Sequence, residues 1–343
     1  MLRDLSLYAF LNAKVKAMFS FLLSPEQREA LTRAPHPEEF FRLLGLTPYR
    51  EIAARPEVVA DPRRLEKELL LYDIGLHKKI MAAKKGQTGE IVFGLLERYD
   101  RQNFKAVLRL WFQPQEREEE LPYLIEETIC YPLPIKKILS ARTLDDVLGY
   151  LGESPYREPL AQARELFRQK RTLFPLEAAL DVDYYSRLND RIEALRSSDR
   201  EIALRLIGTE IDIENIKLLL RLREYYRLPF SEVFSYLIPS GNRINPGMLR
   251  NLALSEDIRS ALARAAAGPY RRIQKLLAGR FDSSSFALLE AALWEILIKE
   301  ARTAFRSAPF TIATVLAYLM FKVAETRFLV STLYTKLLAE GTR

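Results

Sequence analysis

The decamer Asp100-Arg-Gln-Asn103-Phe-Lys105-Ala-Val-Leu108-Arg109 returns 112 positions later as Asp212-Ile-Glu-Asn215-Ile-Lys217-Leu-Leu-Leu220-Arg221. In the last third only its outline survives, as Glu325 and Leu333. Upstream of each acid stands a Leu-Glu pair with a further Leu: Leu65-Glu66-Leu69, Leu176-Glu177-Leu180 and Leu289-Glu290-Leu293. The distance from the first Leu to the acid is 35, 36 and 36 residues. A third pattern keeps step, Pro48-Tyr49-Arg50, Pro155-Tyr156-Arg157 and Pro269-Tyr270-Arg271, at intervals of 107 and 114. Three patterns in a constant order mean three related units.

The chain of 343 residues is longer than one core usually grows. Its period lies within the commonest domain size of about 100–150 residues. Three domains are expected, over 1–115, 116–229 and 230–343. Hydrophobic residues at 48% and charged residues at 28% describe a globular chain without extended disorder. The 52 basic residues against 45 acidic ones give +7, which favours acidic partners but is too small to specify nucleic acid. Cys130 is the only cysteine, so an intrachain disulfide is excluded and a reducing cytoplasm is the expected compartment. Its apolar neighbours Ile129, Tyr131 and Pro132 predict a buried, inert thiol. Asn12, Lys14 and Lys16 interrupt the apolar start, which makes a poor signal peptide. The stretch Ala308 to Phe321 is apolar but short of the roughly 20 residues a spanning helix needs. It reads as a core helix, and any membrane attachment is then peripheral, through partner proteins.

Helical periodicity dominates. Leu65, Leu69, Leu76 and Ile80 share a face that ends in Lys78, Lys79, Lys84, Lys85 and Gly86, and Ile213, Ile216, Leu220 and Tyr225 trace another. The fold is read as all-α. Pro114 and Leu228-Pro229 should end the two Asn-x-Lys helices. The acidic run Glu116 to Glu120 is expected to be a solvated linker, and Ser240 to Pro246 a polar loop. Asn12-Ala-Lys14-Val-Lys16 has the look of an Asn-x-Lys helix without its Leu-Glu partner, and the helix of Glu325 lacks a following Pro-Tyr-Arg. The two terminal helices are therefore expected to complete one another and close a pseudo-threefold body.

Asp100 with Asn103, and Asp212 with Asn215, share a helix face. A catalytic carboxylate there would occur once per repeat; capping of nearby amides is an architectural job better suited to repetition. In Pro-Tyr-Arg, proline presets the turn, tyrosine supplies a ring with a polar tip, and arginine can grip a carboxylate or carbonyls. A repeated packing corner is the expectation. The two histidines, His36 and His77, and the lone cysteine give no zinc ligand set, and the glycine-rich nucleotide and nucleophile-elbow motifs are missing. Lys85-Gly86-Gln-Thr-Gly89 reads as a loop, and acid pairs such as Asp145-Asp146 as incidental. No catalytic residue, cofactor or metal is expected.

Taken together, Tyr8-Ala-Phe-Leu-Asn12-Ala-Lys14-Val-Lys16, the twin Asp-x-x-Asn-x-Lys helices and Pro309-Phe-Thr-Ile-Ala-Thr-Val-Leu-Ala-Tyr318 followed by Glu325 resemble the C subunit of archaeal-type and bacterial V-type ATP synthases. The eukaryotic relative is the V-ATPase d subunit. The resemblance spans the chain and departs at Phe328 and Val330, where the family tends to carry Asn and a basic residue. It implies a noncatalytic part of the rotor: a funnel of three similar helical domains on the cytoplasmic face of the membrane. One copy per complex would join the central shaft to the proteolipid ring and transmit torque for proton or sodium transport. Basic clusters at Lys78, Lys79, Lys84 and Lys85, and at Arg164, Arg168, Lys170 and Arg171, read as solvated faces, with acidic partner loops or lipid headgroups as the alternative. The rival class is a free helical-repeat adaptor binding an acidic protein or nucleic acid.

Overall fold

The computed structural model describes residues 2–83, 86–278, 282–308 and 310–341, and among them helices and turns alternate without a strand. The protein is all-α. It divides into two compact units, Met1–Tyr131 with Ala317–Arg343, and Pro132–Leu316. Lys84, Lys85 and Pro309 lie outside the described residues.

The first unit uses the long helices Leu2–Phe19, Arg64–Ala83 and Gln87–Phe112, together with most of Ala313–Gly341. Between the first two of these come short helices whose starts are written locally. Pro25, Pro37 and Pro56 each occupy the first turn, where a missing amide costs nothing. Ser24 accepts from the Gln27 amide while the Gln27 side chain takes the Ser24 amide, a reciprocal cap. One core gathers Leu23, Leu31, Phe40, Phe41, Leu44, Tyr49, Val58, Leu65 and Leu69 around Leu329 and Leu333 of the last helix. Gly86 turns the chain at φ 80° into Gln87–Phe112, which ends before Pro114. The Arg117 side chain comes back to the Leu110 and Trp111 carbonyls and covers that terminus. The acidic run is thus a short 3₁₀ turn and helix, Pro114–Glu116 and Arg117–Glu120, largely exposed.

The second unit centres on Phe174–Glu193, Ser197–Leu220 and Ser283–Ser307, with short helices between. Thr143, Asn245, Asp257 and Asp282 cap helix starts through their side chains. Ser197–Leu220 continues as a π turn over Arg221–Tyr225, and the chain reverses at Arg227, φ 50°, before Pro229. The apolar stretch expected to be helical from Ala308 is helical only from Ala313, because Phe310 sits at φ 61° and stays exposed. Residues 312–321 are buried throughout. Among the described residues no helix is long and apolar enough to cross a membrane.

Candidate functional site

Each Pro-Tyr-Arg begins a helical turn. Thr47 Oγ1 accepts the Tyr49 amide at 3.2 Å and Ser154 Oγ the Tyr156 amide at 3.4 Å, while the Arg50 and Arg157 amides close onto the Thr47 and Ser154 carbonyls at 3.1 Å each. The geometry drives the tyrosine ring inward and the arginine outward. Tyr49, Tyr156 and Tyr270 are buried; Arg50, Arg157 and Arg271 are exposed, and none is held by an ion pair among the described residues. Pro48 is half-buried at the turn, and Pro269 stands in the 3₁₀ helix Gly268–Ile273. At Tyr49 and Tyr270 the grip that the sequence offered to arginine is exercised by the tyrosine hydroxyl.

In the second unit that hydroxyl, on Tyr270, donates to Asp212 Oδ2 at 3.0 Å. Asp212 lies in the interior of Ser197–Leu220 and accepts the Arg243 amide at 2.9 Å and the Ile244 amide at 3.1 Å. One turn on, Asn215 donates to the Ile238 carbonyl at 2.7 Å and accepts the Ile238 amide at 2.8 Å. The two side chains fasten the returning segment 238–244 to the helix. Contact is close enough that a Cβ on Gly241 would fall 2.1 Å from Asp212 Oδ1. Burial pushes the Asp212 carboxyl up, against the opposing pull of the two amides and the Tyr270 hydroxyl. Burial and the Asp212 charge push Tyr270 up as well, which keeps its donor proton in place.

The first unit repeats the device. Asn103 Nδ2 donates to the Ile125 carbonyl at 2.8 Å and its Oδ1 accepts the Ile125 amide at 2.9 Å, and Asp100 accepts the Cys130 amide at 3.3 Å. These residues were expected to cap their own helical turn. They lie mid-helix in Gln87–Phe112, where intrahelical bonds satisfy the local amides, so the side chains reach amides 22 and 30 residues away. Cys130, expected to be buried, is half-buried beside Ile125 and Ile129 because this fastened segment runs along the surface.

Glu325 does the corresponding work for the first tyrosine. It accepts the Tyr49 hydroxyl at 2.6 Å, the Leu23 amide at 2.7 Å and Arg28 at 2.9 Å. Where Asn stands three residues after Asp100 and Asp212, Phe328 follows Glu325, and its ring lies under the Arg28 guanidinium at 5.1 Å. Two further charges are buried here. Lys322 Nζ donates to the Tyr49 hydroxyl, lies 3.2 Å from Glu325 Oε1 and 3.9 Å from Asp73 Oδ1, and faces the rings of Tyr49 and Tyr72. Asp73 accepts Thr326 Oγ1 at 2.7 Å. Desolvation is the largest influence on Asp73 and lifts it to about 6, although Lys322 and Thr326 pull it down. His77, whose Nδ1 lies 2.8 Å from the Asp73 carbonyl, is pushed down to about 4 by burial. Sequence reasoning missed Lys322, Asp73, Thr326 and Arg28. A lysine closing the otherwise apolar run 312–321 was the one available signal.

Chemically, the corners fix backbone segments and leave their acids committed to amides and hydroxyls. Among the described residues no His, Cys, Asp and Glu group is arranged for a metal ion. The basic clusters carry local bonds: Arg164 pairs with Asp145 and Lys170 with Glu232, each at 2.8 Å, and Lys78 reaches the Thr128 carbonyl at 3.4 Å.

Comparison with known proteins agrees with an architecture that runs the length of the chain. The family described as ATP synthase (C/AC39) subunit matches residues 11–336. Among curated relatives, the A-type ATP synthase C subunit of Methanothermobacter thermautotrophicus is 24% identical over 94% of this chain and 82% of its own length. The C subunits of Pyrococcus abyssi and Thermococcus gammatolerans are 24% and 26% identical, covering 98% and 99% of this chain and 88% of their own lengths. The match takes in the helices of Asp100, Asp212 and Glu325 alike, and the chain therefore belongs to the ATP synthase (C/AC39) subunit family.

Proposed function

We propose that the protein is a noncatalytic central-rotor subunit of an A-type or V-type ATP synthase, joining the central shaft to the membrane proteolipid ring and passing torque between them. The observation that carries this reading is the match from residue 11 to residue 336, with relatives named as the C subunit of A-type ATP synthases. A torque-bearing part needs segments that do not slip. The Asn103–Ile125 and Asn215–Ile238 clamps and the acids that hold distant amides supply that property. The three repeats, over 1–115, 116–229 and 230–343, are its mechanical divisions. It binds the cytoplasmic face of the membrane peripherally, through the ring, in one copy per complex.

Mild detergent extraction followed by affinity capture of the tagged chain tests this. Proteolipid ring, shaft and ATPase head subunits are expected at fixed stoichiometry. Recovery of the chain without any ATPase subunit would sink the assignment and favour a free adaptor.

A further inference from the structure

The third Pro-Tyr-Arg corner departs from the other two, and a pocket lies beside it. Where Thr47 and Ser154 precede the proline, the chain has Gly268 at φ 57°, led in by Ala265, Ala266 and Ala267. That alanine wall and the side chains of Ile216, Ile244, Met248, Leu262, Tyr270 and Ile273 enclose about 290 Å³. The polar groups beneath are committed to each other: Tyr270 donates to Asp212, which also accepts the Arg243 and Ile244 amides. Arg243 is the one charged side chain on the lining. Its Nη1 lies 3.2 Å from where a Cβ on Gly268 would stand, so a larger residue there would push the guanidinium aside.

The rim is basic. Arg250, Arg264, Arg271 and Lys275 are exposed, and each lies within two residues of a lining position. Among the described residues neither they nor Arg243 form an ion pair, whereas Arg259 and Arg272 are paired with Glu224 and Glu295. Residues 243–275 hold seven basic side chains against two acidic ones, Glu256 and Asp257, an excess of five where the whole chain has +7. Asp257 is moreover turned onto Ser260. A single exposed arginine asks nothing of a partner, but five unpaired cations around an apolar hole set up a field of one sign.

From the pocket and its basic rim, we infer that this corner docks an acidic segment of a partner chain, which seats one large apolar side chain in the pocket. Charge complementarity selects and steers the segment, and the apolar anchor fixes its register. The volume falls at the floor of the range for small-molecule sites, about 300–1,000 Å³, and suits one side chain. The inference goes beyond the rotor role, since it names a surface and the chemistry that fits it and does not depend on which complex the chain joins.

Photo-cross-linking of the full chain carrying Ala267→p-benzoylphenylalanine, in the complex extracted in mild detergent, tests it once the linked peptide is sequenced. The expected product is one partner peptide with an apolar residue at the link and an excess of Asp and Glu around it. The double reversal Arg264→Glu with Arg271→Glu, at two exposed positions, should lower its yield at least about tenfold and leave the far-UV circular dichroism unchanged. Ala265→Phe, which fills the pocket from within, should lower the yield as well. A link to a peptide without acidic excess, to nucleic acid or to lipid, no link at all, or a yield that neither variant changes would overturn the proposal. Recovery of ATPase subunits without a link at Ala267 would strike the docking site and leave the rotor assignment standing. An acidic peptide from a protein outside any ATPase would do the reverse.

Discussion

Asp73 is the residue where the first unit's electrostatics fail to balance. Lys322 and Glu325 meet at 3.2 Å and share the Tyr49 hydroxyl, whereas Asp73 Oδ1 stands 3.9 Å from Nζ and makes no hydrogen bond. Burial therefore outweighs attraction, and the carboxyl rises from an ordinary 3.8 to about 6. Below about pH 6 the folded chain holds a proton on Asp73 that the unfolded chain releases above about 4. Raising the pH through that window removes stability, roughly 3 kcal/mol at most. One helical turn away His77 does the opposite. It stays neutral when folded down to about 4 but takes a proton at 6.5 when unfolded, so lowering the pH removes a similar roughly 3 kcal/mol. Two adjacent groups thus oppose each other over nearly the same range. Chemical denaturation from pH 4 to 6.5 is expected to show Asp73→Asn with a steeper rise of stability with pH than the parent, and His77→Gln with a fall. Slopes unchanged in both variants would mean that neither group titrates as its burial requires.

At the scale of the element, the helix Ser197–Leu220 and the segment after it are held by contacts so short that side-chain size decides them. Gly241→Ala would drive a Cβ against Asp212 Oδ1 and the Ile244 carbonyl, at 2.1 and 2.7 Å. Neither a carboxylate fixed by two amides nor a backbone oxygen can withdraw cheaply, so a loss of about 1–3 kcal/mol is expected, as for overpacking. Gly75, inside Arg64–Ala83, has nothing within 4 Å of its Cβ position, and Gly75→Ala should stabilise by about 0.5–1 kcal/mol through helix propensity. Thermal melts of the two variants moving in the same direction would contradict this. The elements themselves were legible: Leu65, Leu69, Leu76 and Ile80 are buried on one face, and Pro114 follows directly on a helix end. The repeat also made Asp100, Asn103, Asp212 and Asn215 visible as a set. Their targets were not, because a helix interior satisfies its own amides and periodicity carries no record of which distant backbone a side chain reaches. Ile125 and Ile238 look like ordinary core residues in the sequence, although it is their main-chain groups that are clamped.

For the whole molecule, the first unit depends on its last helix across most of the chain. The Leu23 amide and the Tyr49 hydroxyl reach Glu325 over separations of 302 and 276 residues, and Asp73 reaches Thr326 over 253. Closing a loop of about 300 residues rather than about 30 costs only about 2 kcal/mol more, because the entropy grows with the logarithm of length. Loss of one partner from a buried ion pair costs about 3–5 kcal/mol. The contacts at Glu325 and Lys322 can therefore sustain the closure. Its consequence is temporal: until the final residues exist, Tyr49 and the core around Leu44 and Leu65 lack Leu329, Leu333 and their acid. Pro132–Leu316 contains its own Asp212–Tyr270 corner and its own clamp. A chain stopped after Leu316 should thus keep hydrogen-exchange protection in Ser197–Leu220 while losing it by at least about a hundredfold around Leu23, Tyr49 and Leu69. A peptide of residues 317–341 added in trans should restore it, and the same peptide with Glu325→Gln should restore it less. Protection around Tyr49 that survives the truncation would mean that the first unit folds without the acid 276 residues away.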